Sequence, residues 1–239
     1  MNSPFDPKKC YLIAELGTLH MHDAHNFRVA IRDTFDAGAD LVKIQIINPL
    51  TAWWASLNQH RRYHNIEWPM DLLQDVLGEL NEYYKNRIFA SIFDPDYVKP
   101  LEKVMPFWKV AMRMRDNEPM VARMIWTDKP IFFSTRGEFY NQDKARYFSR
   151  SENFIPLYAT KYQPHDGQSP KIIQCFKSGT YKGISVNFGG KQCTSLLQTL
   201  PDLKFIEVHT QAQGAKGPDT EWALTLKELA NLRLELGLT

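Results

Sequence analysis

"FRVAIRDTFDAGADLVKIQII", residues 27–47, decides the fold. Its first half carries Phe27, Ala30, Ile31, Thr34 and Phe35 at helical spacing, the stripe of a helix packed on one side. "AGAD" at 37–40 stops that helix, with a glycine where helices commonly end. The second half, "LVKIQII" at 41–47, is apolar on both faces apart from Lys43 and Gln45. Such a strand has no solvent face, which is what a parallel sheet covered by helices requires.

The same unit recurs along the chain. Further strands are expected at 11–17, 88–93, 107–112, 130–135, 154–160, 182–187 and 205–210. Helices are expected at 24–37, 71–86, 95–104, 118–127, 141–150, 169–177, 191–200 and 225–236. "DNEPMVARMI" opens one of them with Asp and Asn near the cap and Pro close to the start. Eight strand–helix units without a Ser/Gly linker predict a single α/β domain over 1–239, a (β/α)8 TIM barrel whose first strand begins near residue 11. A doubly wound open sheet is the alternative, but no GxGxxG follows the first strand. One connection, 46–70, is long and carries three tryptophans and two prolines. Its aromatic content predicts an ordered loop at the barrel mouth that covers a substrate.

Bulk composition narrows the partners. The 239 residues are 44% hydrophobic and 13% aromatic, enough for a sizeable core. The net charge is +2, from 29 Lys+Arg against 27 Asp+Glu, and gives no basis for a nucleic-acid or membrane-surface partner. Cys10, Cys175 and Cys193 form neither a CxxC motif nor a disulfide pattern, as in a reducing cytoplasm. The sequence shows no signal-peptide h-region and no apolar run of about 18 residues. The expected location is cytoplasmic.

In a β/α barrel, chemistry gathers where the strands end. Lys43 and Lys109 sit inside apolar strands, where an unpaired charge costs several kcal/mol. Each lysine has two readings: a buried ion pair with Glu15, Glu207 or Asp94, or part of a cradle for an anionic ligand. Ser91, Ser134 and Ser185 on other strand ends favour the cradle, since hydroxyls and ammonium groups together suit a phosphate and a carboxylate. His209 on the last strand reads as a metal ligand, a general acid/base or a core histidine. The other histidines show no paired-ligand spacing, and "MHDAH" (21–25) falls at the start of a helix.

With these residues in view, the chain resembles the sialic acid synthase family. "YLIAELGTLH" and "AIRDTFDAGADLVKIQ" are similar to the family's opening, IAEIGxNHxG followed by aGADavKfQ. "FASIFDPDYVKPLEKVMPFWKVAMR", "DKPIFFSTRG", "YATKYQP" and "YKGISVNFGG" follow in the family's order. "FIEVHTQAQGAKGPDTEWALTLKELANL" closes the likeness, which spans about 11–236 and is most specific in this last segment. The resemblance implies a β/α barrel that condenses phosphoenolpyruvate with the aldehyde carbon of an amino sugar, releasing phosphate and giving a 2-keto acid. It implies that Lys43, Ser91, Lys109, Ser134 and Ser185 hold phosphoenolpyruvate. Glu15 and Gln45 line the reacting sugar end, Asp219 contacts the sugar, and His209 is one of two histidines on a divalent metal, manganese or magnesium. It also allows a homo-oligomer, because in full-length members the partner chain's antifreeze-like C-terminal domain helps close the sugar site. With the chain ending at Thr239, that domain is expected to be missing.

The departures are uneven. Asn187 stands where the family has its second metal histidine, beside Val186 in place of an acid. Met112 replaces a serine, Leu19 an asparagine, and Lys161 falls on an asparagine position. The phosphate-side set is kept and gains Arg113, Arg136 and Lys161. These changes predict retained phosphoenolpyruvate binding with a different aldehyde acceptor. For the metal, two readings stand: Asn187 hydrogen-bonds where a metal stood and none is needed, or manganese or magnesium stays weakly on His209, the Asn187 carbonyl oxygen and Glu207 or Glu15. Two other functions are open at this level: a barrel that has lost catalysis and serves as a binding or assembly subunit, and a Schiff-base aldolase using Lys43, Lys109 or Lys161.

Overall fold

The computed structural model describes residues 4–17, 23–48, 70–80, 82–160, 169–188, 191–200, 202–212 and 222–238. Most of the long 46–70 connection, and with it the covering loop expected there, lies outside the described residues, as do Lys161 and Asp219. Eight parallel strands run β1 (Tyr11–Gly17), β2 (Leu41–Ile46), β3 (Ile88–Ile92), β4 (Trp108–Val110), β5 (Ile131–Thr135), β6 (Phe154–Ala159), β7 (Gly183–Val186) and β8 (Phe205–Gln211). Each pairs with the next, and β1 pairs with β8 from Tyr11↔Phe205 to Glu15↔His209. That pairing closes the sheet into a (β/α)8 barrel and excludes the open doubly wound alternative. A short ninth strand, β9 (Leu224–Thr225), pairs in parallel with the end of β8, Thr210 and Gln211; its two residues are too few to show in the sequence pattern.

The described α-helices lie between strands at α1 (Ala24–Asp36), α2 (Met70–Gly78), α3 (Glu82–Lys85), α4 (Val98–Leu101), α5 (Glu118–Trp126), α6 (Tyr140–Arg146), α7 (Ser169–Lys177) and α8 (Lys191–Thr199), and α9 (Leu226–Glu235) follows the last strand. Their ends follow local chemistry. Asp23 caps α1 by accepting from the Asn26 amide at 2.9 Å, and Gly38 takes φ +100° just past the end. Asn117 caps α5 with Pro119 in its first turn, as the sequence predicts. The expected helix over 71–86 is instead two pieces, α2 and α3.

Strand residues divide by parity. On β2, Val42, Ile44 and Ile46 face outward into the core shared with Phe27, Ile31 and Phe35 of α1, while Leu41 belongs to a separate core inside the barrel. That inner core joins Phe5, Ile13, Leu41, Phe89, Phe107, Phe132, Leu157 and Phe205. Phe5 plugs it from below, its ring 5.0–5.6 Å from those of Phe107, Phe132 and Phe205. Each buried phenylalanine contributes about 1.5–3 kcal/mol, so the barrel floor is a strong apolar plug. Two residues further along the strands the interior turns polar, with Glu15, Lys43, Ser91, Lys109, Ser134, Ser185 and Glu207 all buried. Gly183 takes the floor position on β7 because a Cβ there would lie 2.2 Å from the Phe205 carbonyl oxygen. The fold thus stands a polar layer directly on an aromatic floor, under the mouth where the strands end.

Candidate active site

Glu207 is the hub of the polar layer. Its Oε1 accepts from Lys43 Nζ at 2.8 Å, Lys109 Nζ at 2.7 Å and Ser185 Oγ at 2.7 Å, and its Oε2 accepts from Lys109 Nζ at 2.6 Å. Lys43 Nζ also meets Glu15 Oε2 at 2.8 Å, and Gln45 Nε2 donates to Glu15 Oε1 at 2.5 Å. No member of the charged quartet is more than 4% exposed, so each charge needs its partner. Both lysines therefore pair with glutamates, as one reading of the sequence foresaw. Asp94 is not among the partners; it accepts from Asn48 at 3.0 Å and caps a short 3₁₀ turn through the Asp96 amide.

The pairing sets the protonation states. Burial alone would raise the carboxyl of Glu207, but the two ammonium groups outweigh it and hold the group far below the usual carboxylate range. Burial opposes ionisation of Glu15 in the same way, and Lys43 with His209 brings it below its ordinary value. Lys43 stands against two carboxylates and is raised despite its burial. Lys109 has one carboxylate to share with Lys43, and burial pushes it down to about 8. The quartet is neutral in sum, with one ammonium that titrates close to neutrality.

Above it opens a cavity of about 490 Å³. Of the residues expected at the site, Glu15, Lys43, Gln45, Lys109, Arg113, Ser134, Arg136, Ser185, Asn187 and His209 line this one cavity. Ser91 lies in register with Gln45 and Lys109 but does not line it; its buried hydroxyl has no hydrogen-bond partner among the described residues. Glu207, Thr160 and Trp222 line the cavity as well. The signal for Glu207 is in the sequence: polar residues sit two positions after an apolar floor residue, as in "FIE" at 205–207 and "FWK" at 107–109. Arg113 and Arg136 stand on the β4 and β5 exits, with Arg136 Nε donating to the Ala159 carbonyl at 3.1 Å.

Asn187 is fixed by Thr160. Its backbone amide donates to Thr160 Oγ1 at 3.0 Å, and its Nδ2 donates to the Thr160 carbonyl at 2.7 Å. Its Oδ1 is thereby turned to His209 Nε2, 3.0 Å away. An amide oxygen only accepts, so Nε2 carries the hydrogen in this arrangement. The same nitrogen lies 3.5 Å from Glu15 Oε2. A divalent ion would need the Nε2 lone pair, so His209 would have to carry its hydrogen on Nδ1, and Asn187 Oδ1 with a second lone pair of a Glu15 oxygen would be the other candidate ligands. Among the described residues no group of three His, Cys, Asp or Glu could hold a metal ion.

A closed barrel with an ionic layer under its carboxyl-end mouth is the architecture of barrel enzymes. The chain resembles sialic acid synthases. It is 25% identical over 252 residues to N-acetylneuraminate-9-phosphate synthase of Mus musculus, a match covering 93% of this chain and 68% of that protein. The structure superposes on N-acetylneuraminic acid (sialic acid) synthetase from Leptospira borgpetersenii with a TM-score of 0.80 at 18% identity, covering 97% of this chain and 84% of that one. A spore coat polysaccharide biosynthesis protein from Bacillus subtilis gives a TM-score of 0.70 at 17% identity, covering 96% and 67%. No protein-family model matches the chain. None of the helices among the described residues is long and apolar enough to cross a membrane.

Proposed function

We propose that this protein condenses phosphoenolpyruvate with an aldehyde of the sugar class, giving a 2-keto acid and phosphate. The observation that carries the proposal is the convergence of Lys43, Lys109 and Ser185 on one point beneath a cavity that Arg113, Arg136 and Ser134 also line. The likeness to synthases whose names specify neuraminate products supports it. In the reaction, C3 of the enol bonds to the aldehyde carbon and a water oxygen adds at C2. The aldehyde oxygen takes a proton, and the C2–O bond to phosphate breaks. The cations hold the phosphate and carboxylate. The Nε2–H of His209, which faces Asn187 Oδ1 in the free protein, turns to the aldehyde oxygen when the acceptor binds, and ionised Glu15 accepts from the attacking water.

Isothermal titration with phosphoenolpyruvate, with and without manganese, tests the first half. Binding is expected in both conditions, and absence of binding in both would sink the proposal. Phosphate release from phosphoenolpyruvate over a panel of aldoses identifies the acceptor; binding without release on any aldose would leave a binding subunit instead. The near-neutral Lys109 also suits an amine nucleophile, so borohydride trapping with pyruvate separates the aldolase reading. No adduct is expected, because Lys109 Nζ is held by both oxygens of Glu207.

The proposed reaction runs without a resident metal, on the hydrogen bond between His209 and Asn187. Asn187→His replaces the acceptor facing Nε2 with a second imidazole and should create a metal pair. Manganese affinity, read by titration with paramagnetic detection, is expected to rise about tenfold or more over the parent. Tight manganese binding by the parent itself would overturn the metal-free reading.

A further inference from the structure

We propose that Asp143, on α6 and outside the barrel interior, is a positioning residue for the cationic wall of this site, a role that rests on the phosphoenolpyruvate reading. Asp143 is 1% exposed, and its two oxygens hold the last residue of β5 and the segment after β4. Oδ1 meets Arg115 Nη1 at 3.1 Å, and Oδ2 accepts from the Thr135 hydroxyl. Arg115 lies two residues after Arg113, and Thr135 lies between Ser134 and Arg136. One buried carboxylate therefore joins the β4 exit to the β5 exit, just behind the side chains that line the cavity.

The rest of the contact fixes its direction. The Arg115 guanidinium lies 4.0 Å from the centre of the Phe139 ring, which removes its freedom to swing away. Its Nη2 meets Asp116 Oδ1 at 3.2 Å, and Asp116 in turn meets Arg146 Nη1 at 2.9 Å. The Asp116–Arg146 link is exposed and weak, whereas the Asp143 link is buried. Burial raises the Asp143 carboxyl, which Thr135 and Arg115 counter by hydrogen bond and charge. A buried carboxylate that only stabilised the fold could bond anywhere along α6. This one bonds to Thr135, next to Arg136, and to Arg115, two residues past Arg113.

The test is Asp143→Asn, which keeps the shape but turns an amide toward Arg115, with Thr135→Val and Thr135→Ser as a milder pair. For the parent, phosphoenolpyruvate binding is measured by calorimetry, and steady-state constants follow once an acceptor is known. Asp143→Asn and Thr135→Val are expected to weaken phosphoenolpyruvate binding about tenfold, a misplacement effect, while Thr135→Ser restores it. The acceptor KM should stay within about twofold, since the clamp acts on the anion wall alone. Unchanged phosphoenolpyruvate affinity in folded Asp143→Asn and Thr135→Val would overturn the role while leaving the proposed function intact. No binding by the parent would overturn the proposed function and this role with it.

Discussion

Glu207→Gln is expected to destabilise the fold by about 3–5 kcal/mol, the range for breaking a buried ion pair by removing one partner. At this chain length that corresponds to a fall of roughly 6–20 °C in Tm. The substitution is isosteric, so no cavity contributes. Lys43 keeps Glu15 at 2.8 Å, but Lys109 makes its ion pair with Glu207, which the change removes. The pH dependence should change with it. In the parent, the carboxyl of Glu207 is depressed, so its stabilisation is present above the unfolded carboxylate pKa and is lost on acidification. That acid loss should shrink in the variant. Lys109 gives a slope of the same sign in a higher window: its folded value of about 8 lies below its ordinary 10.5, so the unfolded state binds more protons between these values and stability rises with pH there. Without Glu207 that rise should begin at lower pH. The double variant Glu207→Gln with Lys109→Met removes both charges and should recover much of the loss in a double-mutant cycle. A single variant as stable as the parent, with an unaltered acid limb, would show that the quartet is not ionised as described.

The barrel was legible because its evidence is local and repeated. Each strand of a covered parallel sheet is apolar on both faces, and each helix has a one-sided stripe, so "FRVAIRDTFDAGADLVKIQII" announces both α1 and β2 within a few residues of their bounds. Closure was not local: it rests on Tyr11 to Glu15 meeting Phe205 to His209, which an eight-unit count suggests and only the pairing shows. The split of 71–86 into α2 and α3 follows Gly78, a residue type that commonly ends helices, a local signal that reading 71–86 as one helix passed over.

At the site, strand-end polarity identified the residues lining the cavity, but not how they partner one another. Lys43 and Lys109 look alike in sequence, each a lone charge in an apolar run. Space separates them: Lys43 stands between Glu15 and Glu207, whereas Lys109 has Glu207 alone, and their titration moves in opposite directions. Asn187 was legible as a departure from a motif; the two bonds from it to Thr160 that aim its Oδ1 at His209 were not. Asp143 could not be found by strand-end reading at all, because it lies on a helix and its link runs from there to the end of β5 and the segment after β4.

Lys109→Met is expected to weaken phosphoenolpyruvate binding at neutral pH by about 30-fold to more than a thousandfold, the 2–5 kcal/mol that removing one partner of a buried charged contact costs. The fold should suffer less than in Glu207→Gln, because Glu207 retains Lys43 at 2.8 Å and Ser185 at 2.7 Å. The inner quartet of Glu15, Lys43, Lys109 and Glu207 sums to zero charge, so an incoming anion competes with Glu207 for both ammonium groups. Arg113 and Arg136 add positive charge on the cavity wall to favour that exchange. Only the protonated form of Lys109 takes part. With its pKa near 8 in the free protein, affinity should be flat below that pH and fall by up to about tenfold per pH unit above it. Lys43, raised above its ordinary value, contributes no change in this range. The variant should therefore bind weakly and without the break near pH 8, while Lys43→Met should bind weakly and keep a break, moved to higher pH because Lys109 then has Glu207 to itself. Calorimetric titrations from pH 6.5 to 9.5 on the three proteins separate these outcomes. A parent whose affinity is constant across that range, or a Lys109→Met variant that keeps the break, would remove Lys109 from the anion cradle.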